Sequence, residues 1–183
     1  VPFNISFHGG EVTTLPRKKL KSLFSYTKNY YAIKGNEIRE AGLTVNPIHI
    51  KTNLYNLDKI INLLEDYEVS ISGSVDLPLS LHGQYRLDKR GRSSKNKIIK
   101  NLKLLARYPH HKKISCVVTQ AHLKIIEQFI LDIKTIHYDY GLDMTRFNIM
   151  FSFDSKKNED KFQGKVSGTE MLTGEQQLIF YQK

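Results

Sequence analysis

The sequence predicts an α/β protein in which parallel strands alternate with covering helices. Three observations predict it. Five short runs rich in β-branched and aromatic residues recur along the chain, at 3–7, 48–52, 69–75, 114–119 and 147–153. Apolar residues at helical spacing lie between them. Each run also ends directly in polar or glycine-rich residues. Units that alternate at this length leave room for a crossover helix, so neighbouring strands run parallel.

The elements follow in order. Run 3–7 leads into His8-Gly9-Gly10-Glu11, where two glycines let backbone approach a ligand and a carboxylate can grip an amine. Leu20, Leu23 and Phe24 then form a helical stripe, with Pro16 in the first turn after a Thr14 cap. Run 48–52 precedes Leu57, Ile60, Ile61 and Leu64, spaced as one helix face. Run 69–75 precedes a helix capped by Ser93-Ser94, carrying Ile98, Leu102 and Leu105 and closed by Pro109 after Tyr108. Run 114–119 holds Cys116, read as a core residue, and is followed by Leu123, Ile126, Ile130 and Ile133 in a helix that Gly141 ends near Tyr140. After run 147–153, the stretch 155–168 reads as a polar loop and 173–183 as a helix that stops with the chain. The expected division is a core over 1–154 and a loop with the start of a further helix over 155–183.

A chain of 183 residues, 40% hydrophobic, suits one domain with a real core. No run approaches the roughly 18 apolar residues of a membrane span. The opening Val1-Pro2-Phe3 has no initiator Met and no basic-then-apolar leader, so the expectation is a chain beginning partway through a larger, cytoplasmic protein. A single cysteine excludes a disulfide framework and fits a reducing compartment. Net charge is +10, which raises a second reading, a basic α/β domain that binds nucleic acid without catalysis. The basic residues are spread over loops and helix starts, and no aromatic-interleaved or zinc-finger pattern accompanies them, so a solvated basic face is the preferred reading. His110-His111 lacks metal-ligand spacing and a third partner.

In parallel α/β sheets, ligands sit at the carboxyl ends of the strands. Here those ends carry Gly9-Gly10-Glu11, Lys51-Thr52-Asn53, Ser74-Val75-Asp76, Thr119-Gln120 and the residues 151–154.

Several of these ends resemble one family. Ser74-Val75-Asp76-Leu77-Pro78, then His82-Gly83, then Arg86, is similar to the fourth-strand pattern of radical SAM (S-adenosylmethionine) enzymes of the sulfatase-maturating and peptide-modifying branches, with the twelve-position Ser-to-Arg spacing kept. Phe7-His8-Gly9-Gly10-Glu11 resembles the family's Gly-Gly-Glu strand end, and Thr52-Asn53 its third-strand pair. The stretch 91–105 looks like the glycine-to-Ser/Thr start of the next helix, and Gln120 follows a run that resembles the fifth strand. The likeness covers nearly the whole chain in order. It implies an open, partial TIM-type barrel comprising strands two to six.

The resemblance also implies roles. Gly9, Gly10 and Glu11 would hold the amino group of SAM, and Ser74 and Arg86 its carboxylate and ribose, Arg because its planar fork can bond both oxygens. Asp76 would orient Arg86 or accept a ribose hydroxyl. Thr52 and Asn53 would line the same mouth. His82 reads either as support for these residues or as an ordinary residue at a helix start. The parent activity would be reductive cleavage of SAM at a 4Fe-4S cluster, giving a 5′-deoxyadenosyl radical that abstracts hydrogen from a peptide or protein, with flavodoxin or ferredoxin as electron donor. The family's Cys-x3-Cys-x2-Cys loop is not present, so the cluster-bearing first unit is expected to be absent and the chain alone inactive. Leu77 stands where the family has Gly, Gly83 where it has Asp, and Val12 where it has Pro, which marks a divergent branch.

Overall fold

The computed structural model describes residues 2–152 and 172–182. Five strands form one sheet in sequential order, every adjacent pair parallel. They are β1 (Ser6–Phe7), β2 (His49–Thr52), β3 (Ser70–Ser74), β4 (Lys112–Val118) and β5 (Asn148–Phe151). Sequential parallel order with a helix in each crossover is the arrangement of part of a βα barrel. The helices are α1 (Arg17–Glu40), α2 (Leu57–Asp66), α3 (Leu79–Tyr85), α4 (Lys95–Arg107), α5 (Ile126–Tyr138) and α6 (Gly174–Tyr181). The stretch read as a polar loop, 155–168, lies outside the described residues, as does Phe153 of the last expected strand.

The core lies between the sheet and its helices. Ile50, Ile71, Ile114, Cys116 and Val118 point from the strands into a buried cluster that includes Leu57, Leu64, Ile98, Leu102 and Leu105. The α2 and α4 stripes therefore face the sheet as their spacing predicts. Gly73 of β3 has a specific reason to lack a side chain. A Cβ there would meet the Leu54 side chain at 2.7 Å.

Several local expectations are corrected. β1 is two residues long, because its upstream backbone is engaged elsewhere: the N–H groups of Phe3 and Ile5 donate to the hydroxyls of Tyr30 (2.9 Å) and Tyr31 (2.6 Å) on α1. Thr14 does not cap α1. It belongs to a 3-10 turn, Val12–Thr14, and Pro16 occupies the cap position without a side-chain bond. The α1 stripe buries Leu20, Phe24 and Thr27, while Leu23 is exposed. Ser94 sits at the α4 cap position but gives its hydroxyl to the site described below. On α5 the residues most buried are Phe129 and Ile136, flanked by Ile126 and Ile133. Gly141 follows that helix at φ +76°, a conformation that suits glycine. The α6 helix is closed at its start by reciprocal bonds between Thr173 and Gln176, and its Phe180 packs on Phe129.

Candidate functional site at the strand tips

The chain leaves β1 through Gly9 and Gly10, both at positive φ (+80° and +52°) and both open to solvent, so any other residue would be strained in this turn. The turn delivers Glu11 to the mouth of the sheet. One carboxylate oxygen, Oε1, accepts from the Thr13 N–H (3.1 Å), the Thr13 hydroxyl (2.6 Å) and the Thr52 hydroxyl (2.6 Å). The other, Oε2, accepts from the Asn53 N–H at 2.7 Å. The tips of β1 and β2 are thus joined through one side chain. Oε1 is fully used, whereas Oε2 retains acceptor capacity.

The β2 tip is held from behind. Leu54 adopts φ +63°, an uncommon conformation for a branched residue. Asn101, fully buried on α4, secures it by donating to the carbonyls of Leu54 (2.6 Å) and Tyr55 (3.2 Å). Lys97 on the same helix pairs with Asp58 at 2.7 Å. Neither α4 residue was singled out from sequence, since a polar residue on a helix stripe gives no periodic signal.

After β3, Asp76 and Arg86 form a two-point ion pair, Nε to Oδ2 at 2.7 Å and Nη2 to Oδ1 at 3.3 Å. This bond, with the opposing carboxylate charge, raises the Arg86 pKa. His82 is buried beneath the pair, inside α3 rather than at a helix start. Its Nδ1 accepts from the Asp76 N–H (3.3 Å), its Nε2–H donates to the Ser94 hydroxyl (3.1 Å), and Ser94 donates to the Arg86 carbonyl (2.7 Å). This closed circuit requires the neutral ring with its proton on Nε2. Burial lowers the His82 pKa, consistent with that state. The α3 start is fixed by Asp132 of α5, which accepts the Leu79 N–H at 2.6 Å.

A cleft of about 800 Å³ opens between these tips, lined among others by Glu11, Asn53, Tyr55, Tyr85, Arg86 and Arg92. Of the residues expected at the site, Glu11, Asn53 and Arg86 line it. Thr52 and Asp76 reach it through their bonds to Glu11 and Arg86. Gly9 and Gly10 shape the turn outside its lining. Ser74 ends β3 in register with Ser115 and is not part of the cleft wall.

No family profile and no curated protein matches the sequence. Solved structures do match. Native anSMEcpe, an anaerobic sulfatase-maturating enzyme, with bound AdoMet and the Kp18Cys peptide superposes with a TM-score of 0.70 at 18% identity, covering 97% of this chain and 44% of that one. The same enzyme with the Cp18Cys peptide gives the same values. Hexahistidine-tagged anSMEcpe with bound AdoMet gives 0.67 at 18% identity, covering 91% of this chain and 41% of that one. The chain has the partial βα-barrel fold of these structures. The chain spans less than half the length of these radical SAM structures.

The residues of this chain do not fit the cluster associated with that fold. The one cysteine, Cys116, is 1% exposed in β4, its sulfur accepts the Leu77 N–H at 3.2 Å, and burial pushes its thiol up to about 12. Among the described residues no group of three His, Cys, Asp or Glu side chains could hold a metal ion. No helix among them is long and apolar enough to cross a membrane.

Proposed function

We propose that this chain is the SAM-binding core of a radical SAM enzyme acting on a peptide or protein. The observation that carries the reading is the pairing at one cleft of a carboxylate with a spare acceptor, Glu11 Oε2, and a guanidinium with spare donors, Arg86. An amino-acid headgroup presents the complementary charges, an ammonium and a carboxylate. Glu11 would accept from the SAM ammonium. Arg86 uses Nε and one Nη2 donor on Asp76, so its Nη1 donors would serve the carboxylate. Asp76 fixes the plane of that guanidinium, and the His82–Ser94 circuit fixes the loop that bears it. Gly9 and Gly10 would give the headgroup clearance, Thr52 and Asn53 would hold Glu11 in place, and Ser74 would stand on the barrel side of the mouth. The neighbours' bound AdoMet and peptides support this reading of ligand and substrate class. When bound, SAM supplies the adenosyl group for hydrogen abstraction in this family. The complete enzyme would draw on flavodoxin or ferredoxin for electrons and reside in the cytoplasm.

Calorimetric titration of the chain with SAM tests the site. Glu11→Gln and Arg86→Gln should each weaken binding about tenfold or more, since a hydrogen bond to a charged group contributes about 1.5–3 kcal/mol. Unchanged affinity in both variants would remove SAM from the cleft. With the ligand set described above, the chain incubated with iron and sulfide should stay colourless and leave SAM intact. A brown protein with cysteinate-to-iron absorption would contradict this.

A further inference from the structure

The face of the sheet opposite the helices is polar and cationic, and its residues stand in rows across the strands. Lys51, Ser72 and Lys113 are successive partners on β2, β3 and β4. Ser74, Ser115 and Asn148 form the next row. On the other side, His49 pairs with Ser6 and Ser70. The Ser6 hydroxyl meets His49 Nδ1 at 2.5 Å and the Ser70 hydroxyl meets His111 Nδ1 at 2.9 Å. Burial lowers the His49 pKa, and the charges of His8, Lys113, His111 and Lys51 add to that, so these groups share one electrostatic neighbourhood. Arg146 and Lys113 act similarly on His111. These rows contain no Asp or Glu, and among the described residues neither Lys51 nor Lys113 forms an ion pair. Further along, Val117 is 39% exposed, so the face is open there.

Ammonium groups with no ion-pair partner among the described residues, beside a row of hydroxyls, have one complement, a ligand bearing several anionic oxygens. The rows hold no Phe or Tyr on which nucleic acid bases would stack. Lys51 and Lys113 are rooted two strand spacings apart, about 10 Å. Carboxylates at alternate positions of an extended peptide lie about 7 Å apart on one face. Flexible lysine stems reach both, while Ser72 between them is buried at their base. We propose that this face selects an acidic peptide segment, with the half-buried Lys51 and Lys113 gripping its carboxylates. The proposal rests on the peptide-modifying reading above and specifies the charge of the substrate.

The test is fluorescence anisotropy at about 150 mM salt (a Debye length of about 8 Å), with the full chain and a labelled Gly-Ser decapeptide carrying Asp at alternate positions. The Asp peptide should bind at least tenfold tighter than its Asn counterpart. Lys51→Gln with Lys113→Gln should lose at least tenfold. Lys51→Arg with Lys113→Arg should retain binding, which separates loss of charge from loss of fold. Lys18→Gln with Lys19→Gln, an equal charge loss on exposed α1 positions, should change affinity less than twofold. Equal losses in the inner and outer double variants would overturn the proposal, as would tighter binding of a labelled oligonucleotide of equal charge through the same two lysines. SAM titration of the same variants keeps the two readings apart. Lost peptide selectivity with intact SAM binding rejects the acidic-substrate inference alone, whereas absent SAM binding with intact peptide selectivity rejects the cofactor assignment.

Discussion

The two faces of the sheet are built from alternate residues of the same strands and have opposite characters. Toward the helices, β3 and β4 present Ile71, Gly73, Ile114, Cys116 and Val118, all within or against the core. Toward the opposite side, the same strands present Ser70, Ser72, Ser74, Lys113 and Ser115, of which Ser70, Ser72 and Ser115 are themselves buried. In a closed barrel whose interior is only packing, bulky branched residues would fill that inner side. The contrast teaches that apolar burial is concentrated on one face, while the other carries the polar and cationic groups.

The contrast can be broken most sharply within three consecutive residues. Ile71→Ala should destabilise by about 2–5 kcal/mol, the usual cost of emptying a core site. Gly73→Ala, which drives a methyl into Leu54, should cost about 1–3 kcal/mol and disturb the Asn53 loop. Ser72→Ala, on the polar face, removes one buried hydroxyl without opening an apolar cavity and should cost no more than about 1 kcal/mol. Urea midpoints rank the three, and a Ser72 variant as damaging as Ile71→Ala would mean that the polar face is equally structural.

A smaller effect comes from acid. Burial depresses the His82 pKa from its ordinary 6.5. The unfolded chain then takes up the proton more readily than the folded one, so stability present above about pH 6.5 is lost as pH falls below it. His49, His111 and His122 shift the same way, each led by burial. The urea midpoint should fall between about pH 7 and pH 5, with a shallower slope in His82→Gln. A midpoint that rises on acidification would contradict the neutral His82 circuit.

Much of the fold was legible because apolar alternation and helix stripes report burial directly. Run 69–75 and the stripe Ile98, Leu102, Leu105 landed on β3 and α4 with little adjustment. What escaped was set by polar groups whose partners are distant in sequence. Tyr30 and Tyr31 intercept the backbone before β1, so an apolar run of five residues yields a strand of two. The α3 helix was missed because it is only seven residues long and depends on Asp132, 53 residues after its first amide. At the site, Glu11, Asn53 and Arg86 could be named from their motifs. The props beneath them, Asn101 and Ser94, could not, because a buried amide or hydroxyl is recognisable only once its partners are placed. The placement of Ser74 on the barrel side followed from strand register, which the motif does not encode.

The three threonine contacts and the Asn53 amide hold the Glu11 carboxylate before any ligand arrives. Its position is therefore set by the fold itself, and the entropy lost in immobilising it belongs to folding rather than to association. For the ammonium proposed above, a mouth assembled this way would be a rigid socket, entered without waiting for the protein to rearrange.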